Sequence, residues 1–397
     1  MNHTSPPSIL FLASRLPYPP IGGDRLKNHW LLRILATHYR VHLVALTDRP
    51  VPAGFHAWAQ DIGLSYKIFY KPRRLSYLAT LRGLLFNKKP LQVNYYFFSD
   101  IARYIRQQAP RFDLVFSTLV RTAEYAMPLP NAKIIDMADS IGLNYLQARK
   151  AARSWFWKLI YTLEDDRLIA YEKECIRAFD RILLFNKEEA RYFHSSKVMW
   201  VPHGVNERLL EYEKKDPAYA NAVTFFGKMD YQPNVDAVLW FAHEVLPHMD
   251  ASLRFVIVGA SPTRQVRRLA RHPRIEVTGF VDDPYAILKG SLCTAAPMQT
   301  GGGIQNKVLE TMALGTVNIV SPLAARGIGA RHGRHWLVVD DPQEMAHTLN
   351  DIAAHPEKYL PLGTAARDYI RRHFTWTIYG RKIREVVEQV RKEKSGS

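Results

Sequence analysis

The sequence predicts an α/β protein built from two Rossmann-like domains, and three observations lead there. Short apolar runs recur along the chain, each closed by a turn and followed by a helical pattern, as buried parallel strands alternating with helices should be. Glycine clusters stand in the turns after two of these runs, at Gly22-Gly23 and at Gly301-Gly302-Gly303, the strand-to-helix corners where doubly wound folds take ligands. The chain of 397 residues is also too long for one ordinary core.

The first series runs from strand Ile9–Ala13 through the turn Ser14–Arg25 and a helix across His29–Leu35 to strand Val41–Leu46. Strand-like Ile62–Tyr70, Asp113–Ser117 and Lys133–Asp136 follow, then a long helical stretch from Ile141 to about Phe179, then Arg181–Phe185 and Val198–Val201. Pro202-His203-Gly204 breaks the pattern, and a polar tract from Glu207 to about Asn221 shows no core signal. The second series takes in Ala222–Phe226, Arg254–Val258, Ile275–Val277, Ser291–Ala296 and Val317–Val320 as strands. The expected organisation is residues 1–205 as one domain, 206–374 as the second, and 375–397 as a terminal helix free to cross back to the first.

Composition narrows the class. Apolar residues make up 47% and charged residues 23%, the balance of a soluble globular protein, and no apolar run approaches the ~18–20 residues of a membrane span. Ser8–Ala13 has no basic segment before it, so it reads as a strand rather than a signal peptide, and the protein is expected in the cytoplasm. Cys175 and Cys293 each sit in an apolar pattern and read as buried free thiols.

The formal charge of +17 is concentrated. Between Lys67 and Arg106 lie Lys71, Arg73, Arg74, Arg82, Lys88, Lys89 and Arg103, interleaved with Tyr77, Leu78, Leu84–Phe86 and Tyr95–Phe98, with Asp100 as the one acid. Basic and aromatic residues so mixed suit the edge of an anionic membrane on its inner face. The alternative is a solvated basic face over a core helix.

The most informative stretch is Ala296–Ser321. A strand enters the triple-glycine turn, the turn opens a short amphipathic helix, and Gly315 stops it. Glycines let a ligand approach the backbone, and the helix N-terminus presents free N–H groups, so the corner suits an anion. Val308, Leu309 and Met312 form the buried face, leaving Lys307 and Glu310 together on another. An ammonium for phosphates and a carboxylate for sugar hydroxyls are what a nucleoside diphosphate sugar needs. The plainer alternative is a glycine turn before a helix carrying a surface ion pair.

Gly227-Lys-Met-Asp-Tyr-Gln-Pro-Asn-Val-Asp-Ala-Val-Leu-Trp240 and Gly303-Ile-Gln-Asn-Lys-Val-Leu-Glu310 resemble family 4 retaining glycosyltransferases of the GT-B architecture. Within that family the chain is similar to sugar transferases associated with exosortase and exopolysaccharide synthesis. The resemblance implies two facing Rossmann-like domains, the first binding the acceptor and the second a nucleotide sugar, closing around the donor. It implies catalytic roles for Lys228, Lys307 and Glu310, the last holding the donor ribose. Donor contacts fall to Gly22 and Gly23, to the base-receiving loop Gly279, Phe280 and Val281, and to Gly302, Gly303, Ile304, Gln305 and Asn306.

Three departures stand out. The family's first signature glutamate falls at Gly302, so amides of Gly302 and Gly303, or Gln305 and Asn306, would meet the transferred sugar. The lysine companion of the Lys228 position is Asn234, with Lys307 as a substitute for the lost charge. The acceptor-domain histidine expected after Asp113–Ser117 is absent from Thr118–Arg121.

Asp24, Arg25 and Asp139 are the acceptor-binding candidates, although Asp24 and Asp139 also suit helix caps. Asp282-Asp283 reads as a helix cap and His203 as hinge structure. No metal and no cofactor are expected: cations and the helix N-terminus would stabilise the departing diphosphate. The expected partners are a nucleotide sugar and a glycan or lipid-linked acceptor, with an anionic membrane surface as a peripheral contact and no nucleic acid. Competing readings are a nucleotide-sugar 2-epimerase of the same architecture and a basic membrane- or nucleic-acid-binding module with a degenerate donor site.

Overall fold

The computed structural model describes residues 6–151 and 155–395. The chain forms two compact units, Met1–Val201 with Tyr379–Ser397, and Pro202–Ile378.

The first unit carries a seven-stranded, wholly parallel sheet: β1 (Ser8–Ala13), β2 (Arg40–Thr47), β3 (Ser65–Tyr70), β4 (Leu114–Thr118), β5 (Ala132–Ala138), β6 (Arg181–Leu184) and β7 (Val198–Trp200). Their order is β3-β2-β1-β4-β5-β6-β7. β1 is buried along its whole length, as a central strand covered on both faces must be. The order reverses between β1 and β4, so the Gly22-Gly23 corner after β1 lies at the topological switch point.

The second unit holds six parallel strands: β8 (Ala222–Phe226), β9 (Arg254–Val258), β10 (Ile275–Gly279), β11 (Cys293–Ala296), β12 (Asn318–Val320) and β13 (Leu337–Val338). Their order is β10-β9-β8-β11-β12-β13, with the switch between β8 and β11. Lys228 follows β8 and the triple glycine follows β11, so the two segments flank one crevice of this unit.

The terminal helix Trp376–Ser395 packs on the first unit from Tyr379 onward. Ile383, Val386, Val387 and Val390 are buried, the Tyr379 hydroxyl donates to Asp136 (3.2 Å), and the Tyr39 hydroxyl donates to Glu388 (2.7 Å). The segment before it is helix Pro356–His373. Val205 bridges Thr375, and a Cβ at Gly204 would meet the Trp376 backbone at 2.3 Å, so both chain segments joining the units belong to the second.

Other expectations need correction. Gly63, at φ 64°, delays the third strand from Ile62 to Ser65. The tract after Glu207 does contribute to the core, through buried Leu209 and Leu210 in a short 3-10 turn. The long helical stretch expected from Ile141 is present as Ile141–Ala151 and Trp155–Ala178, with 152–154 outside the described residues. Within the basic stretch, helix Arg73–Phe86 does not turn its apolar side to the core. Ser76 and Gly83 are its buried residues, and the leucines face out.

Candidate functional site

The crevice of the second unit starts from close backbone packing. Gly259, after β9, approaches the end of β8 so nearly that an added Cβ would lie 1.8 Å from the Gly227 carbonyl oxygen. Only glycine fits there, and the approach fixes where the Gly227-Lys228 turn leaves the sheet. Gly301 and Gly303 adopt φ of 112° and 70°, conformations that favour glycine and that turn the loop into helix Asn306–Leu314. The Thr300 hydroxyl donates to Asp236 (3.1 Å), tying this loop to helix Gln232–Trp240. Gly315 closes the short helix in the left-handed conformation, as its sequence position predicts.

Lys307 reaches away from its helix to the end of β8. Its ammonium donates to Asn234 Oδ1, lies 4.7 Å from the centroid of the Phe225 ring, and contacts Met298 Sδ at 3.4 Å. Asn234 is 3% exposed and donates Nδ2 to the Lys228 carbonyl oxygen at 2.8 Å. Burial pulls the Lys307 ammonium down to about 7. Glu310 turns toward helix Pro284–Gly290, where the Tyr285 hydroxyl donates to it at 3.2 Å. Burial pushes its carboxyl up to about 7, against the opposing pull of that hydrogen bond. Among the described residues Lys307 and Glu310 form no ion pair with each other, so the surface-pair alternative does not hold: each charged group is desolvated and held by a neutral partner.

Lys228 is more open. Its side chain is 64% exposed and its ammonium pairs with Asp230 at 2.9 Å, an exposed contact that a phosphate can displace at little cost. Gln305 is the N-cap residue of helix Asn306–Leu314 yet caps nothing with its side chain, which donates to the Gly302 carbonyl oxygen at 3.4 Å. Asn306 opens the helix, and Ile304 precedes Gln305 in the same corner. Gly279 ends β10 at φ 69°, and Phe280 beside it is 75% exposed, with Val281 next. Asp283 serves as an acceptor, taking the Tyr212 hydroxyl at 2.8 and 2.9 Å, and its side chain makes no cap bond.

In the first unit Gly22 is the N-cap of helix Gly23–Ala36, with φ 96°, and a Cβ at either glycine would meet nothing within 4 Å. That backbone is open to a ligand. Asp24 therefore falls in the first turn and is not the cap; its carboxylate pairs with Arg15 at 3.3 Å. Arg25 lines a cavity with Arg15. Asp139 is not a cap either. The Ser140 hydroxyl accepts from the Leu143 N–H (3.2 Å), leaving Asp139 with a buried Oδ1 that has no hydrogen-bond partner and a carboxyl pushed up to about 6 by burial. Lys27 pairs with the neighbouring Asp136. His203 stacks on Trp376 at 6.1 Å.

Tyr285, Phe225 and the Thr300–Asp236 pair escaped the sequence reading. No local spacing links Tyr285 to Glu310, and Phe225 looks like any strand residue.

Residues 220–355 match the family model for glycosyl transferases, group 1. Solved structures similar to the chain over nearly all its length include HepE of Anabaena in complex with UDP: 15% identity, 96% of this chain and 100% of that one, TM-score 0.67. They include sucrose-phosphate synthase of Thermosynechococcus elongatus, at 15% identity, 96% and 99% coverage and TM-score 0.68. TarM of S. aureus, in a complex containing UDP, shows 8% identity, 97% and 99% coverage and TM-score 0.64. No protein of curated function matches the chain significantly. The fold expected from the sequence, the two-sheet GT-B class, is the fold these likenesses show. Among the described residues no helix is long and apolar enough to cross a membrane, and no three His, Cys, Asp or Glu side chains gather as a metal site would require.

Proposed function

We propose that the chain is a glycosyltransferase that moves a sugar from a nucleoside diphosphate donor to a glycan or lipid-linked acceptor, with retention at the anomeric carbon. The observation that carries this reading is the pairing of a desolvated lysine and a desolvated glutamate behind the glycine corner of the second unit, each held by a neutral partner. The group 1 match over the same residues supports it. HepE holds UDP in one structure and UDP-glucose in another, which makes uridine the first base to test.

In this reading Lys307, Lys228 and the N–H groups opening helix Asn306–Leu314 face the diphosphate. As the bond from the anomeric carbon to the β-phosphate oxygen breaks, they stabilise the charge gathering there, an arrangement that assigns no role to a metal. Glu310 accepts hydrogen bonds from donor hydroxyls. Gly302 and Gly303 amides, with Gln305 and Asn306, contact the transferred sugar. Gly279, Phe280 and Val281 receive the base. The departing phosphate takes the acceptor's proton on the same face, so no separate base is assigned. In the first unit Gly22 and Gly23 approach the donor phosphates, and Asp24, Arg25 and Asp139 serve the acceptor. Resemblance at 227–240 and 303–310 to family 4 enzymes of exopolysaccharide synthesis supports a proposed context that is cytoplasmic and peripheral to the membrane.

The test is sugar transfer from a panel of nucleotide sugars to glycan and lipid acceptors, with the anomeric configuration of the product read by NMR. Transfer with retention, lost in Glu310→Ala, is the expected result. Conversion of the nucleotide sugar without any acceptor would instead support the 2-epimerase.

A further inference from the structure

The first unit holds a cavity of about 610 Å³ at the C-terminal ends of β1, β2 and β3, where the chain leaves the sheet. Arg15, Arg25, Arg49, Lys71 and Arg73 line it, with Asp48 as the one lining acid. Three of these cations are committed: Arg15 to Asp24 at 3.3 Å, Lys71 to Asp100 at 2.7 Å and Arg73 to Asp48 at 2.6 Å. Arg25 and Arg49 take part in no ion pair among the described residues. Two uncommitted guanidiniums among five cations and three carboxylates leave the cavity positive, and guanidinium forks match phosphate oxygens in pairs.

The cavity wall continues into an unusual helix. Arg73, Ser76 and Tyr77 of helix Arg73–Phe86 line it. From Tyr77 onward that helix turns Leu78, Leu81, Leu84, Leu85 and Phe86 outward, the last two 69% and 80% exposed. Inward it presents small residues: a Cβ at Gly83 would meet the Asn94 side chain at 2.1 Å, so the helix sits as close as its backbone allows. An amphipathic helix packed through its small side, with its leucines out, pays in hydration for apolar surface that something must cover. The exposed face runs about 14 Å from the cavity mouth. Arg74, Arg82 and Lys88 are exposed around it.

We propose that this cavity and this helix face form one site for a membrane-held amphiphile, its phosphate head gripped by Arg25 and Arg49 and its hydrocarbon lying with the bilayer against Leu78, Leu81 and Leu85. The occupant is a lipid and not a soluble phosphate ester, because a soluble ester would leave the leucine face bare. The basic fringe matches an anionic surface. The site rests on the transferase reading only for the name acceptor; its contacts stand without it.

The test is co-sedimentation with three phosphatidylcholine vesicle preparations: undoped, doped with phosphatidic acid, and doped with phosphatidylglycerol to equal surface charge. The wild-type protein should prefer the phosphatidic acid vesicles over undoped ones by at least about tenfold, and over phosphatidylglycerol by less. Leu81→Glu with Leu85→Glu should abolish vesicle binding while the circular dichroism melt stays intact. Arg25→Gln with Arg49→Gln should erase the preference for phosphatidic acid over phosphatidylglycerol. Equal binding of the two anionic vesicles by the wild type, or undiminished binding by the leucine variant, overturns the proposal. So does a dimer that the leucine variant converts to monomer with no vesicle binding, since a second copy would then cover the face. So does stabilisation by glycerol 3-phosphate without vesicle binding, which would mark a soluble ligand. Stabilisation by UDP, measured in parallel without vesicles, reports on the donor site separately.

Discussion

The ammonium of Lys307 is bonded to the side-chain oxygen of Asn234, two residues separated by a strand switch and joined at the end of β8. Asn234 stands where the resembled family places a lysine. The contact brings the charge of Lys307 beside that position from another helix, as a substitute for the lost lysine must.

Exchanging the two residues tests this. Lys307→Asn alone should weaken nucleoside diphosphate binding and lower turnover by about 10²–10³. Adding Asn234→Lys should recover much of the loss, because the ammonium returns to the same corner from the opposite side. Binding measured on both single variants and the double variant gives the coupling between the positions.

Donor affinity should peak near neutral pH. Glu310 must be ionised to accept from hydroxyls and Lys307 protonated to face phosphates, and burial sets both at about 7. Affinity then falls below about 7 as Glu310 takes up a proton, and above it as Lys307 sheds one, approaching tenfold per pH unit on the alkaline side. Calorimetry at about pH 8.5 in buffers of different ionisation enthalpy should show uptake of close to one proton on binding.

Stability of the free protein runs the opposite way. Glu310 is raised from 4.5, so its contribution declines as pH climbs from there toward 7; Lys307 is lowered from 10.5, so stability is regained as pH climbs from 7 toward that value. These two groups should place a dip in the melting temperature where donor affinity is greatest. A melting series across pH, repeated on Lys307→Met and Glu310→Gln, would show the dip shallower in each variant.

Tyr285→Phe keeps the ring against Phe226 and removes the hydroxyl that donates to Glu310. The Glu310 carboxyl should then rise further, moving the acidic limb of donor affinity to higher pH. Stability should fall by about 1 kcal/mol, read by urea titration.

Gly259→Ala should destabilise the second unit by about 1–3 kcal/mol, because the new methyl collides with the Gly227 carbonyl. Since Gly227 sets the exit of Lys228, donor affinity should fall with it, while the melting of an otherwise similar Gly333→Ala variant, in open space, reports only backbone strain.

How much of this was legible follows from the kind of signal each feature leaves. Twelve strands show in the sequence because a buried parallel strand must be an apolar run; β13, two residues long, leaves none. The glycine corner shows because a tight approach requires glycine. Lys307 as a substitute at position 234 could be framed from the missing lysine, but the contact itself depends on strand order. Tyr285 and Glu310 meet only through the packing of two helices, which no local spacing encodes. Which side of helix Arg73–Phe86 packs inward was not legible, because no local pattern marks Ser76 and Gly83 as its buried residues.

The central claim is that the second unit binds a nucleoside diphosphate through Lys307 and Glu310. Isothermal titration of UDP, GDP and ADP into the wild type, Lys307→Met and Glu310→Ala at neutral pH tests it most directly. The account predicts that one nucleotide binds the wild type and that each substitution weakens it at least about tenfold, a loss of about 1.4 kcal/mol. Equal binding by all three proteins, or no binding by the wild type, would contradict it.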